Sequence, residues 1–155
     1  MNTKAYVDSV REGDAVHVAL FMRNSDKAEI WASRNAMPLQ ALEYSLSCSP
    51  LQWTIRLGEE AIGLFGVGEA PGFPDRGSPW LLATDKLEDI QTTFLKQSRD
   101  YVAKMKDRYS LLENWVDRRN LTSIKWLEWC GFTIFKPEPF GVEGKPFHRF
   151  EMRTV

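Results

Sequence analysis

The sequence predicts a single α/β domain spanning residues 1–155, with helices on the faces of a central mixed β-sheet. The chain is 155 residues long and 43% hydrophobic, which suits one domain around one core. Segments with strand and helix periodicity alternate along it, without an internal repeat or a long linker. One short apolar run, at residues 80–83, is typical of a central strand that is buried on both faces.

The N-terminal third predicts one strand followed by three helices. Val16, Ala19 and Leu20 recur at helical spacing. Pro38 suits the first turn of a later helix, and Pro50 ends that helix because proline cannot continue it. We therefore expect a strand over about residues 5–10 and helices over about residues 12–23, 25–33 and 38–46.

The middle of the chain predicts an antiparallel pair, a central strand and a long helix. Gly58 and Glu59 supply a turn between two segments of strand-like composition. Further on, Phe94, Tyr101 and Met105 recur at helical spacing. In chain order we expect strands over residues 53–57 and 61–67, a Gly- and Pro-rich loop over 70–77, a strand over 80–83 and an amphipathic helix over about 87–108.

The C-terminal third predicts alternating strands around one more helix. Asn120 is a favourable N-cap for a helix of about ten residues, and Gly131 suits its left-handed exit. In chain order we expect a strand over residues 111–116, this helix, a strand over 132–135, a Pro- and Gly-rich loop over 135–146 and a last strand over 147–152.

Charge and cysteine content narrow the class of protein. The formal net charge is −1 and the isoelectric point is about 6.1, so we expect no nucleic-acid partner. We also expect no signal peptide and no membrane partner, because no apolar run approaches the length of a membrane span. Cys48 and Cys130 lack metal-ligand spacing and are interpreted as reduced, buried thiols, so no metal site is expected.

The helix that follows Asn120 carries a motif with a clear physical basis. Ser123 and Ile124 follow the capping asparagine, and Gly131 with Phe132 ends the stretch. This stretch resembles the motif of the GNAT acyltransferases, and the order of the elements upstream is similar to theirs. The resemblance implies a GNAT-like fold.

A closer resemblance covers roughly residues 60–152. Residues 80–85, 99–105 and 112–131 resemble the internal virion protein A family of short-tailed, coliphage-type bacteriophages. This resemblance implies a protein needed for virion assembly, with phage virion proteins as partners and no established catalytic role. It also implies a location in the host cytoplasm during infection and afterwards in the virion.

The loop that would hold coenzyme A departs from the GNAT pattern. The family binds the pyrophosphate with Arg/Gln-x-x-Gly-x-Gly/Ala, whose glycines let backbone N–H groups approach the phosphates. Here Lys86 stands at the basic position, and Asp89 and Gln91 replace the glycines. Asp85 and Glu88 have the spacing of a capping box, which predicts that carboxylates rather than a phosphate satisfy the start of the long helix.

The acid and base that the GNAT resemblance implies are also not found. A tyrosine seven residues after the motif asparagine would protonate the leaving thiolate, but Leu127 stands there. The strand at residues 80–83 contains no glutamate that could act as a base. Asp85 is the nearest carboxylate, and we interpret it as a cap rather than a base.

Two functional hypotheses result. The preferred one is a non-catalytic phage protein of GNAT-like fold that acts through protein contacts, without a cofactor and without catalytic residues. The alternative is an active acetyl-CoA-dependent N-acetyltransferase with a non-standard coenzyme A loop. In that case we expect the cofactor to contact Ala83, Thr84, Lys86 and Asn120.

Trp126 and Trp129 lie three residues apart on the helix after Asn120. Because Ile124 and Leu127 already supply its core face, the two indoles could form an exposed patch for a protein partner. Neighbouring loops or the edge of the sheet could equally cover them. The sequence leaves these two interpretations open.

Overall fold

The computed structural model describes residues 4–154, and over that range it consists of one mixed β-sheet with helices on both faces. This confirms the predicted fold class. The elements, in chain order, are β1 (Ala5–Asp8), α1 (Asp14–Leu20), α2 (Asn24–Arg34), α3 (Pro38–Cys48), β2 (Leu51–Leu57), β3 (Glu60–Ala70), β4 (Phe73–Ala83), a 3₁₀ helix (Asp85–Ile90), α4 (Gln91–Arg108), β5 (Leu111–Asp117), α5 (Leu121–Cys130), β6 (Thr133–Phe140) and β7 (Lys145–Arg153).

The sheet has the strand order β1-β2-β3-β4-β5-β7-β6, and its one parallel contact joins β4 to β5. That contact consists of only two residue pairs, Arg76 with Leu111 and Gly77 with Leu112. Pro79 follows two residues later and has no N–H to continue a ladder. Its carbonyl instead accepts a hydrogen bond from the Asn114 side chain at 2.9 Å. Beyond this point β4 and β5 separate, and the sheet is open between them.

Two hydrophobic clusters cover the two faces of the sheet. The helices α1–α3 pack on one face, where Val18, Leu42 and Leu64 are fully buried. The helices α4 and α5 pack on the other face, around a larger cluster that includes Phe65 and Met105. The separation between β4 and β5 therefore connects the two helical layers through the sheet.

The prediction of a loop over residues 70–77 is wrong. β3 continues to Ala70, a tight turn follows, and β4 already begins at Phe73. Gly72 allows this turn because it adopts a positive φ of 78°. Gly77 is needed within β4, since a Cβ there would come within 2.7 Å of the Tyr109 ring. Glycine thus serves the strand and its turn rather than a loop.

The expected loop over residues 135–146 is also largely strand. β6 reaches Phe140, and the turn to β7 is confined to residues 141–144. Pro137 and Pro139 are tolerated because β6 is the last strand of the sheet. The turn is held against α2, where Val142 N–H donates to the Ser33 carbonyl at 3.0 Å. This contact closes one side of the opening between β4 and β5.

Two further expectations concern membranes and metals. No helix within residues 4–154 is long and apolar enough to cross a membrane. The described residues contain no group of three or more His, Cys, Asp or Glu side chains arranged to hold a metal ion. Both cysteines are free thiols, with Cys130 buried and Cys48 half-buried.

Candidate active site

A cavity of about 430 Å³ lies where β4 and β5 separate. It is bounded by Leu81 on β4, Trp115 on β5, Glu29 on α2 and Trp126 on α5. Because α2 and α5 pack on opposite faces of the sheet, the cavity passes through the sheet. Its size is within the range of pockets that bind small molecules.

Glu29 supplies a half-buried carboxylate to this cavity from α2. Its Oε1 accepts a hydrogen bond from the Asp117 N–H at 2.7 Å and a longer one from Asn120 Nδ2 at 3.4 Å. Burial, and then the nearby charge of Asp26, raise the pKa of Glu29 to about 8. Glu29 belongs to none of the ion pairs between described residues. A carboxyl of this kind can take up and release a proton near neutral pH.

The end of β4 does not pair with β5. A buried ion pair at the start of α2 binds its backbone instead. The Arg23 guanidinium donates to Asp26 through Nε at 3.0 Å and Nη2 at 2.8 Å. Asp26 Oδ2 accepts the Ala83 N–H at 2.9 Å, and the Arg23 N–H donates to the Ala83 carbonyl at 2.9 Å. Both backbone groups of Ala83, a predicted cofactor contact, are thus already bonded to α2.

Asn120, another predicted cofactor contact, is a buried cap as the sequence indicates. Its Oδ1 accepts the Ser123 N–H at 3.4 Å at the start of α5. Its Nδ2 donates to Asp26 Oδ1 at 3.0 Å and to Glu29. The side chain therefore joins α5 to the acidic residues of α2 and orients the Glu29 carboxylate.

Two buried donors near the cavity have no hydrogen-bond partner among the described residues. They are Arg23 Nη1 and Trp126 Nε1. Buried donors are almost always paired, so two of them in one place call for a missing acceptor. Both residues line a second cavity of about 10 Å³, which also contacts Leu87 and Phe94 on the side of α4. Ser123 lines both cavities, which share this wall.

Thr84 and Lys86, the remaining predicted cofactor contacts, follow the end of β4. Thr84 is buried, donates to the Ile62 carbonyl at 3.2 Å and accepts the Lys86 N–H at 3.3 Å. The Lys86 ammonium is exposed and forms an ion pair with Glu60, which also contacts His17. Lys86 therefore points to β3, away from Ala83 and Asn120, which both bond to Asp26.

The predicted capping box at Asp85 and Glu88 is wrong. Residues Asp85–Ile90 form a 3₁₀ helix, so α4 begins only at Gln91. Ile90 occupies the N-cap position, and no side chain caps α4 within the part of the chain that the structure describes. Asp85, Glu88 and Asp89 are exposed. The acidic side chains lie near the helix start, and no hydrogen bond between them and a described residue forms a capping box.

The two tryptophans of α5 have different roles. Trp126 is buried and stacks on Phe94, with ring centroids 5.9 Å apart. Trp129 is 41% exposed, and its Nε1 donates to the Leu95 carbonyl at 2.7 Å. Arg99 donates to the Trp129 carbonyl and lies 4.1 Å from the centre of its ring. The tryptophans hold α5 against α4 instead of forming a two-indole patch.

Sequence reasoning missed Arg23, Asp26 and Glu29. They lie three residues apart in succession, which places them on one face of α2 beside the buried Ile30. The sequence signal that could have identified them is the presence of charged residues on the same helix face as a core residue. Leu127 is buried in the core cluster under α4 and α5.

Comparisons with known proteins add to this geometry. No protein-family model and no curated protein matches the sequence. Solved structures match over nearly the whole chain. The aminoglycoside acetyltransferase AAC(6')-Ib in complex with coenzyme A has a TM-score of 0.69 and 15% identity, covering 97% of this chain and 95% of that one. The spermidine N-acetyltransferase from Vibrio cholerae, in complex with coenzyme A and spermine, has a TM-score of 0.67 and 14% identity, covering 97% and 95%.

A third match is an acetyltransferase of the GNAT family from Streptococcus pneumoniae, with a TM-score of 0.64 and 10% identity, covering 98% of this chain and all of that one. The chain therefore has the fold of the GNAT acetyltransferases. The expectation of no cofactor is contradicted, because two of these matched structures contain coenzyme A. The comparisons give no support to the resemblance to phage virion proteins.

Proposed function

We propose that this protein is an acetyl-CoA-dependent N-acetyltransferase that modifies a primary amine in the cavity between β4 and β5. The observation that carries this proposal is Glu29, a carboxyl with a pKa of about 8 in a cavity that passes through the sheet. An amine must lose a proton to become a nucleophile, and a base that titrates near neutral pH is suited to remove it. The shared fold with acetyltransferases supports the same conclusion.

The residues at the opening fit the pantetheine arm of coenzyme A better than its diphosphate. The arm carries amide carbonyls, and Arg23 Nη1 and Trp126 Nε1 are buried donors that lack acceptors. The diphosphate would meet the uncapped start of α4, whose N–H groups and dipole favour an anion. Asp89 stands where the family has a glycine, and exposed carboxylates surround it. We therefore assign the arm to Arg23 and Trp126.

When bound, acetyl-CoA would supply the acetyl group as a thioester, whose C–S bond breaks as the amine forms the new C–N bond and coenzyme A leaves as the thiolate. Glu29 accepts the proton of the acceptor ammonium at its carboxylate. The Asp117 N–H and the Asn120 amide hold that carboxylate in place. Leu127 offers no proton at the position of the family's tyrosine, so the leaving thiolate is not protonated from there.

The proposal is tested by acetyl transfer and by binding. Purified protein is incubated with acetyl-CoA and a panel of primary amines, and release of the free thiol is followed with a thiol reagent. In parallel, the melting temperature is measured with coenzyme A. A ligand at a hundred times its dissociation constant stabilises the protein by about 2.7 kcal/mol. Absence of both thiol release and a melting shift would contradict the proposal.

A second candidate is a role in virion assembly through protein contacts. It is supported by the sequence resemblance over residues 60–152 and by an apolar surface around α1, where Val16, Leu20 and Phe21 are exposed. Co-sedimentation of the protein with assembling particles, compared with a Leu20→Ser variant, tests it. A variant that sediments like the original protein would argue against this surface.

A further inference from the structure

The cavity between β4 and β5 has aromatic walls on the side of α2 and α3. Trp80 forms one wall from β4, while Trp115 and Phe140 form another from β5 and β6. The Trp115 and Phe140 rings stack in parallel, with centroids 4.4 Å apart. Trp80 is fixed by its Nε1, which donates to Ser49 Oγ at 2.8 Å. These walls are flat, rigid surfaces suited to an aromatic ring.

The charges at the cavity favour a cation. Two carboxylates, Glu29 and Glu69, line it together with one guanidinium, Arg34. Arg34 is engaged with the Tyr44 ring, 4.8 Å from its centre. Glu69 accepts the Tyr109 hydroxyl at 3.0 Å and lies 3.8 Å from Arg108. Glu29 belongs to no ion pair between the described residues, and an ammonium bound beside its carboxyl would favour the ionised form of Glu29.

We propose that this cavity binds a primary amine carried on an aromatic group, with the ammonium at Glu29 and the ring against Trp80, Trp115 and Phe140. The inference rests on the proposed function, because the amine is the acyl acceptor. A cavity of about 430 Å³ admits a small molecule of this kind. Aromatic walls also attract the ammonium itself.

Binding of the acceptor is measured first without any acyl donor, by calorimetry. The probes are phenethylamine, with a ring and an ammonium, putrescine, with ammonium groups and no ring, and hydrocinnamate, with a ring and a carboxylate. We expect phenethylamine to bind at least about tenfold more tightly than either of the others. Equal or tighter binding of putrescine or hydrocinnamate would overturn the inference.

A matched pair of tryptophan variants locates the site. Trp115→Leu removes one wall and should weaken phenethylamine binding about tenfold. Trp31→Leu, which removes an exposed tryptophan outside the cavity, should leave binding unchanged. If Trp115→Leu does not fold, Phe140→Leu replaces it, since Phe140 forms the same wall from the edge strand β6. Unchanged binding in the folded cavity variant would overturn the inference.

The thiol-release assay separates this inference from the proposed function. Transfer to putrescine at least as fast as to phenethylamine would retain the acetyltransferase and reject the aromatic acceptor. Selective binding of phenethylamine without any thiol release would retain the aromatic amine site and reject the acetyltransferase. Faster transfer to phenethylamine supports both.

Discussion

The two sides of the opening between β4 and β5 differ in the volume of the cavity that each contains. The cavity that opens toward α2 and α3 measures about 430 Å³, whereas the second cavity, between α4 and α5, measures about 10 Å³. The second side is closed by the stacking of Trp126 on Phe94 and by the Trp129 hydrogen bond to Leu95. Under the proposed function, the acceptor enters the larger cavity, here the open side, and the pantetheine arm must widen the smaller cavity, here the donor side.

The largest effect is expected at Glu29, on the open side. Glu29→Gln keeps the size of the side chain but removes the proton acceptor, so kcat/KM for acetyl transfer should fall about a hundredfold to ten-thousandfold. The control is Glu43→Gln, which neutralises an exposed glutamate of α3 and should leave the rate unchanged. An unchanged rate in Glu29→Gln would show that Glu29 is not the base.

The pH dependence sharpens the same assignment. Because Glu29 has a pKa of about 8, kcat/KM should rise with pH up to an inflection near this value, as the carboxyl loses its proton. The folded state also holds this proton more tightly than the unfolded chain, so Glu29 makes the free energy of unfolding decrease as pH rises from about 4.5 to 8. In Glu29→Gln both effects should disappear.

The next effect concerns the ion pair that holds the end of β4 to α2. Asp26→Ala leaves the Arg23 guanidinium and the Ala83 N–H buried without their acceptor. The free energy of unfolding, measured with urea, should fall by about 3–5 kcal/mol. Arg153→Met is the control, since Arg153 pairs with Glu151 but its side chain is 66% exposed, and it should cost less than about 1 kcal/mol.

A smaller effect is expected where α4 and α5 close the donor side. Trp129→Phe keeps an aromatic ring but removes the hydrogen bond to the Leu95 carbonyl. If the closed contact competes with the donor, losing a bond of about 1 kcal/mol should tighten coenzyme A binding severalfold. Calorimetry measures this, with Trp31→Phe as control. Weaker binding in Trp129→Phe would show that the indole holds the donor rather than excluding it.

Local rules predicted most of the fold from the sequence. Asn120 and Gly131 bound α5 because each satisfies a local backbone requirement, a cap and a left-handed exit. The apolar run at residues 80–83 lies within β4, in the centre of the sheet. These features depend on neighbours within a few residues. The strands at 73–77 and 136–140 were missed because their glycine and proline residues were interpreted without knowledge of the pairing partner.

The candidate site was not predictable in the same way. The pKa of Glu29 is raised only because folding removes its carboxyl from water beside Asp26, against the opposing hydrogen bond from the Asp117 N–H. The unpaired donors Arg23 Nη1 and Trp126 Nε1 come from residues about a hundred positions apart in the chain. Ala83 was correctly placed at the end of β4, but its backbone groups bond to α2. Contacts between distant segments decide each of these properties.

The smallest effect concerns the acidic residues before α4, which the sequence identified and whose arrangement it mispredicted. Because Asp85, Glu88 and Asp89 are exposed and do not cap α4, each should repel a diphosphate only weakly and in a salt-dependent way. Glu88→Gln with Asp89→Gly should therefore tighten coenzyme A binding about two- to fivefold at low salt. Binding of pantetheine, which lacks the diphosphate, should not change.

Asp100→Asn is the matched control, because Asp100 is exposed on α4 well past its first turn and the helix dipole acts only near the helix end. If coenzyme A and pantetheine gain affinity equally in the double variant, the diphosphate does not lie at the start of α4. If coenzyme A alone gains, and the gain fades at high salt, the charged end of the donor lies there. In that case the pantetheine arm of coenzyme A lies between α4 and α5, and its diphosphate lies outside, at the start of α4.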